Sequence, residues 1–215
     1  MINIEIKHSQ NMVSYNYALK TMENRVGQII NKKNKELIWF LNHDHIYTQG
    51  ASSSELEIIN KNKIDIIKTN RGGKITYHGP GQRLVYLMIN LNNRKKDLRK
   101  FISIIENSLI FFLKKYEIEC KTFKDRVGIW VIKNNNKFLS KEKKIGAIGL
   151  KITKWVTFHG LSFNINPDLS YYNNIHACGL KNYKSTSLAE LGVNIKSEIF
   201  DKEYAKKFID KLKEI

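Results

Sequence analysis

The densest cluster of chemically capable residues runs from Arg71 to Gln82, where the chain reads Arg-Gly-Gly-Lys-Ile-Thr-Tyr-His-Gly-Pro-Gly-Gln. A guanidinium, two hydroxyls, an imidazole and several unhindered main-chain amides follow one another just ahead of an apolar run. Glycine lets a main chain approach a bound molecule closely, so Arg71 and His78 could hold polar groups while Tyr77 walls an apolar channel. A tight structural turn accounts for the glycines alone, though not for the whole combination. The segment has neither the spacing of a phosphate-binding loop nor that of a dinucleotide fingerprint, which removes support from phosphate-driven chemistry.

Cys178 is the second candidate, flanked by small residues in Ile-His-Ala-Cys-Gly-Leu at 175–180. Isolated cysteines are usually inert core residues. An unperturbed thiol, with a pKa of about 8.5, is only a few per cent thiolate at neutral pH, so catalysis needs a nearby cation or helix N-terminus. Several lysines qualify as that cation; Lys144 opens the strand-like KIGAIG and can be fixed by a sheet, whereas most others read as solvated. His159 lies in the alternating run WVTFHG, which ends at Gly160, and reads equally as a site residue or a core histidine. His43 and His45 flank Asp44, and strand alternation would point both imidazoles one way and the carboxylate the other. No third ligand follows at close spacing, so no metal is expected. Cys120 reads as structural.

These groups need elements to hold them. Apolar residues from Met12 to Ile29 recur at three- and four-residue steps and predict a helix over 11–30. LIWFL at 37–41 suits a buried strand, and LVYLMINL at 84–91 a central strand covered on both faces. Leu98 to Leu113 marks a second amphipathic helix. VGIWVIK at 127–133 reads as a strand, 134–144 as an exposed polar turn region, and IGAIGLKI with WVTFHGLSFNI as a returning pair. Ser185 and Thr186 are candidates to cap a helix through Leu188 and Leu191, and a charged helix near 202–212 closes the chain. Helices and strands do not alternate regularly, which predicts an α+β fold, a mixed β-sheet flanked by helices, in one domain over 1–215.

Composition limits the possible partners. Thirty-seven Lys and Arg against twenty Asp and Glu give a formal charge of +17, a field that attracts acidic molecules. The lysines are scattered from Lys7 to Lys213 without interleaved aromatics, zinc-finger spacing or an RNA-recognition signature, so no nucleic-acid partner is expected. No run approaches the roughly eighteen apolar residues that cross a bilayer, so no membrane association is expected. Two cysteines far apart form no disulfide framework. The expectation is a soluble, cytoplasmic, monomeric protein.

Taken together, the segments resemble the octanoyltransferases of lipoate biosynthesis, the lipoyl(octanoyl) transferases. RGGKITYHGPGQ is similar to that family's RGGxxTYHGPGQ signature, KIGAIGLKITKWVTFHGLSFNI to its lysine-bearing double strand, and IHACGL to its cysteine motif. The resemblance runs from about Tyr15 to Leu191. Ala177 stands where the family usually has proline, Gly146 and Ser162 where it has alanines, and NHDHIYTQG departs from its usual form, leaving chain-length preference open.

The resemblance implies a fold shared with lipoate and biotin protein ligases and an acyl tunnel beneath the glycine-rich loop. It implies Cys178 as the residue carrying an acyl thioester and Lys144 as its acid-base partner. Arg71, Gly72, Gly73, Lys74, Ile75, Thr76, Tyr77 and His78 would bind substrate, with Ala147, Ile148, Gly149, His159, Gly160, Leu161 and Ser162 completing the pocket. The implied donor is octanoyl-acyl carrier protein. The implied acceptors are lipoyl domains of 2-oxoacid dehydrogenase E2 subunits and the glycine cleavage H protein, and no cofactor is required. An ATP-dependent lipoate or biotin ligase is the alternative enzyme, and a basic nucleic-acid-binding module the alternative of another class.

Overall fold

The computed structural model describes residues 3–60, 64–179 and 183–215, apart from the side chain of Cys178. In chain order the elements are β1 (Ile4–Met12), α1 (Tyr15–Ile30), β2 (Glu36–Asn42), β3 (Ile46–Gln49), β4 (Ile66–Lys68), β5 (Thr76–His78), β6 (Gln82–Met88), α2 (Leu98–Lys114), β7 (Ile118–Lys121), β8 (Ile129–Asn134), β9 (Lys137–Thr153), β10 (Val156–Asn164), β11 (Lys184–Ser185) and α3 (Ser197–Leu212). The main sheet has eight strands in the order β1-β2-β6-β10-β9-β8-β7, with β11 paired to β9; a smaller sheet runs β4-β3-β5. β1 is parallel to β2, β11 to β9 and β4 to β3, and the other pairings are antiparallel. This is the mixed sheet flanked by helices that the sequence predicts.

Why the central strands read as unbroken apolar runs is plain from their two faces. Side chains alternate across a strand, so Ile38, Phe40, Val85 and Leu87 meet α2 and α3, while Leu37, Trp39, Leu41, Leu84, Tyr86 and Met88 meet α1. With helices on both faces, neither set needs to be polar. Phe163 of β10 lies in the first core, its ring centroid 4.7 Å from that of Phe200 and 6.0 Å from that of Phe112. Asp97 caps α2 by accepting the Lys100 N–H at 2.9 Å. Among the described residues no helix is long and apolar enough to cross a membrane.

Four expectations need correction. The first helix starts at Tyr15, because residues 11 and 12 belong to β1, an edge strand too polar to show an apolar stripe. The central strand stops at Met88, and Asn90 opens a tight turn by accepting the Asn92 N–H at 3.0 Å. Most of 134–144 is strand: only Asn135 and Asn136, at φ 48° and 60°, form the turn between β8 and β9. Two left-handed residues match the twist of a hairpin, and asparagine tolerates that conformation. Ser185 and Thr186 start no helix. Leu188 and Ala189 donate their N–H groups to the carbonyls of Asn164 and Ile165, at 3.1 and 3.0 Å, so the segment turns against the end of β10.

Deleting the Phe163 ring should leave a cavity between α2 and α3. Phe163→Ala is expected to lower stability by about 3–5 kcal/mol, seen as a fall in the urea midpoint at unchanged slope.

Candidate functional site

A cavity of about 270 Å³ opens where the β9–β10 hairpin passes under the glycine-rich loop. Strand register makes one wall: Ala147 faces Ser162, Ile148 faces Leu161 and Gly149 faces Gly160 across the two strands. Arg71, Gly73, Lys74, Thr76, His78 and His159 also line it, together with Tyr15, Ser52, Leu84, Tyr86 and the segment Asp125, Arg126 and Val127. The loop is held to the hairpin by the Gly72 N–H, which donates to the Leu150 carbonyl at 2.8 Å. Tyr86 and Leu84 read as strand residues in the sequence, which does not show which face of the strand meets the cavity. The 125–127 segment carries no periodic signal.

Beside this cavity lies a small recess that shares Thr76, Ala147 and Ser162 with it and adds Lys144 and Ala177. Lys144 is buried and donates to the Val127 carbonyl at 2.7 Å, its amine 5.4 Å from the centre of the Trp130 ring. Gly128 makes this seat possible. Its φ is +129°, and a β-carbon there would stand 2.3 Å from Lys144 Cε and 2.9 Å from Nζ. Ala177 belongs to the tight turn Ala177–Gly179, closed by the Gly179 N–H donating to the His176 carbonyl at 2.7 Å. The structure therefore brings Lys144 and the turn bearing Cys178 to one recess. The thiol itself lies outside the described residues.

Two expectations about side chains change, those for Tyr77 and for the pair His43 and His45, while Arg71 lines the cavity as expected. Arg71 donates to β3 and to its own loop: to Thr48 O at 2.6 Å and Thr48 Oγ1 at 2.8 Å, and to Lys74 O at 2.9 Å and Gly72 O at 3.0 Å. It shapes the cavity edge. Tyr77 does not wall the cavity; with Ile75 it is buried in a separate cluster, stacked on Tyr171 at 4.9 Å, and its hydroxyl meets His45 Nδ1 at 2.8 Å. His43 and His45 lie between strands and diverge, His43 buried and His45 exposed. Cys120 is structural: burial pushes its thiol up to about 12.

Three imidazoles lie near one another, His78 and His159 lining the cavity and His43 behind them, its ring centroid 6.0 Å from that of His78. His43 Nδ1 lies 2.6 Å from the Val13 carbonyl, which can only accept, so Nδ1 carries the proton of the neutral ring and Nε2 accepts a hydrogen bond from the Tyr86 hydroxyl, 2.6 Å away. His78 Nδ1 is 2.6 Å from Gln82 Oε1, and His159 Nε2 is buried without a hydrogen-bond partner. Burial lowers all three: His43 to about 4 against the opposing Val13 hydrogen bond, His78 to about 3 with help from His43, and His159 to about 3 with help from Arg71 and Lys151.

Comparison with known proteins agrees with this architecture. The model of the lipoyl protein ligase A/B catalytic domain matches residues 14–209. An octanoyltransferase of Wolbachia sp. subsp. Brugia malayi (strain TRS) is 44% identical over 205 residues, covering 93% of this chain and 97% of its own. Among solved structures, P. falciparum LipL1 in complex with lipoate superposes with a TM-score of 0.71 at 17% identity, over 98% of this chain and 63% of that one. Biotin protein ligase from Aquifex aeolicus superposes at 0.51 and 14% identity, over 100% of this chain and 71% of that one.

The histidines set an acid limit on stability. Their folded pKa values lie below the ordinary 6.5, so between about 6.5 and 3 the unfolded chain binds more protons. Stability is fully present above that window and falls with pH inside it. Glu106, which burial raises to about 6, opposes them by a single proton. The urea midpoint at pH 5 is expected below that at pH 7, and His159→Asn, which tolerates a left-handed backbone, should reduce the difference.

Proposed function

The chain belongs to the lipoyl protein ligase A/B catalytic-domain family, its octanoyltransferase relatives make it an acyltransferase of the lipoyl/octanoyl class, and we propose that it moves an octanoyl group through Cys178. The observation that carries this reading is the shared recess, in which a buried lysine and the cysteine-bearing turn meet beside an acyl-sized cavity. The proposed donor is octanoyl-acyl carrier protein. The proposed acceptor is a lysine ε-amine on a lipoyl domain of a 2-oxoacid dehydrogenase E2 subunit or on the glycine cleavage H protein.

Catalysis starts with Lys144 favouring the Cys178 thiolate, since an adjacent cation stabilises that form. The thiolate attacks the donor carbonyl, a bond from carbon to Cys178 sulfur forms, and the carrier's carbon–sulfur bond breaks. The leaving thiolate takes a proton from Lys144. In the second half the acceptor amine attacks the same carbonyl, the new amide nitrogen gives its proton to Lys144, and Cys178 leaves as thiolate. Exchange of one thioester for another is nearly balanced and aminolysis runs downhill, so no nucleotide is consumed.

The hairpin supplies a bed for the acyl chain. From Ser162 to His159 is three residues, about 10 Å at 3.3 Å per residue, running from the recess to the far wall. Ala147, Ile148, Gly149, Gly160 and Leu161 present small and apolar surface along that path, and Arg71, Gly73, Lys74, Thr76 and His78 close it from above. Both protein substrates would be drawn in by the +17 field.

Intact-protein mass spectrometry after incubation with octanoyl carrier protein, without ATP, is expected to find a hydroxylamine-labile octanoyl adduct on the wild type and none of that kind on Cys178→Ser. If acyl transfer to a lipoyl domain instead requires free acid and ATP, the ligase reading replaces this one. Gly128→Ala should displace the Lys144 amine and slow acyl transfer about a hundred-fold, as an ångström-scale misplacement does, with the circular dichroism spectrum retained.

A further inference from the structure

Glu57 lies in a short turn of Glu55–Glu57 outside every motif of the sequence, yet among the described residues its carboxylate is one of three that are buried, with Glu36 and Asp201. Its carboxylate accepts from three directions: Lys74 Nζ at 2.8 Å, the Ile75 N–H at 3.1 Å and Ser53 Oγ at 2.9 Å. Its own carbonyl accepts the His176 N–H at 2.7 Å. One residue thus bonds both to the glycine-rich loop and to the start of the cysteine turn. Burial would raise its carboxyl pKa, but the hydrogen bonds from Lys74, Ile75 and Ser53 hold it below the usual value, so the group stays anionic at neutral pH.

Lys74 carries the link further. Its aliphatic stem lies across Gly179, where a β-carbon would stand 2.6 Å from Lys74 Cδ and 2.7 Å from Nζ. Gly179 has φ +70° and closes the turn that holds Cys178. A lysine stem held at one end by a buried carboxylate is a stop against which that turn rests. We propose that Glu57 is a positioning residue for acyl transfer, setting the height of the Cys178 turn against the glycine-rich loop through its ion pair with Lys74 and its bond to His176. This rests on the cysteine route proposed above.

Charge-assisted hydrogen bonds to a buried carboxylate are stronger than neutral ones. Glu57→Gln keeps the shape and an acceptor for the Ile75 N–H, but gives up the attraction that anchors Lys74. Lys74→Met removes the anchor from the other side, and because the Lys74 side chain is 44% exposed the fold has little reason to fail.

The test is a double-mutant cycle on single-turnover acylation, reading the octanoyl adduct by intact mass with octanoyl carrier protein as donor. Expected is a ten- to hundred-fold slower acylation for either single variant, KM for the carrier within about three-fold, and a double variant no slower than the worse single one, the non-additivity of residues acting as a unit. A merely structural role would couple the two in the melting temperature but not in the acylation rate. Wild-type acylation rates in Lys74→Met, or effects that multiply independently, overturn the proposal even if Glu57→Gln does not fold. Absence of any labile adduct on the wild type overturns the cysteine route and this inference with it, whereas an adduct with uncoupled variants overturns this inference alone.

Discussion

The antiparallel pairing of β9 with β10 is the constraint from which the site follows. Its register sets Ala147 opposite Ser162 and Gly149 opposite Gly160, and so makes the cavity wall. The same strand, three residues earlier, presents Lys144 to β8 on one side and to the short β11 on the other. Leu150, one residue beyond the wall, supplies the carbonyl that anchors the glycine-rich loop. A slip of one residue would turn every side chain of β9 to the opposite face, separating the lysine, the wall and the loop anchor together. The slip is opposed at both ends: a two-residue turn closes the hairpin at Lys154 and Trp155, and the other edge of β10 is locked to β6.

Around that hairpin, polar groups are buried in numbers that an acyl cavity would not by itself require, and nearly all are committed to one another. Arg71 is bound to carbonyls of its own loop and of β3, Glu57 to Lys74 and Ile75, and His43 to Tyr86. Arg126 lies between the rings of Phe123 at 3.9 Å, Tyr183 at 4.4 Å and Trp130 at 4.9 Å. A buried polar group costs stability unless it is paired, so these networks are stable only in the arrangement that satisfies them. They hold the loops around a cavity whose apolar lining, Leu84, Ile148 and Leu161, supplies no direction of its own.

Much of the frame was legible. LIWFL and the 84–88 part of LVYLMINL read as buried strands because aromatic and branched residues in short unbroken runs have no stable place except a sheet covered on both faces. The stripe from Leu98 to Leu113 gave α2 for the equivalent reason in a helix. What was illegible has common causes. β1 and the outer half of β9 are exposed, charged strands whose partners, not their own residues, make them strands. That Tyr77 turns away from the cavity was not legible, because a motif shows which residues gather, not which way each side chain turns. Glu57 could not be found, since nothing in Ser-Ser-Ser-Glu-Leu-Glu distinguishes a buried carboxylate from the exposed Glu55 two residues before it.

His159 shows how a local exception can serve the whole. Along β10, Leu161 and Phe163 face α2 and α3, whereas Val156 and Phe158 face α1. Strict alternation would put the imidazole of His159 in the first of these cores, among leucines and phenylalanines. Instead its φ is +60°, a conformation that costs an ordinary residue about 1–2 kcal/mol, and its ring stacks on that of its own neighbour Phe158 at 5.2 Å and meets Tyr86 at 6.0 Å. Adjacent residues of a regular strand cannot stack in this way, because their side chains point to opposite faces. The left-handed turn therefore moves the imidazole out of the apolar core and onto the cavity side. Gly160 follows immediately, where a β-carbon would stand 2.2 Å from the Val85 carbonyl, so the strand recovers its pairing within one residue. The strain at His159 and the missing side chain at Gly160 are two halves of one device. It gives the cavity a polar far wall without breaking the hairpin that carries it.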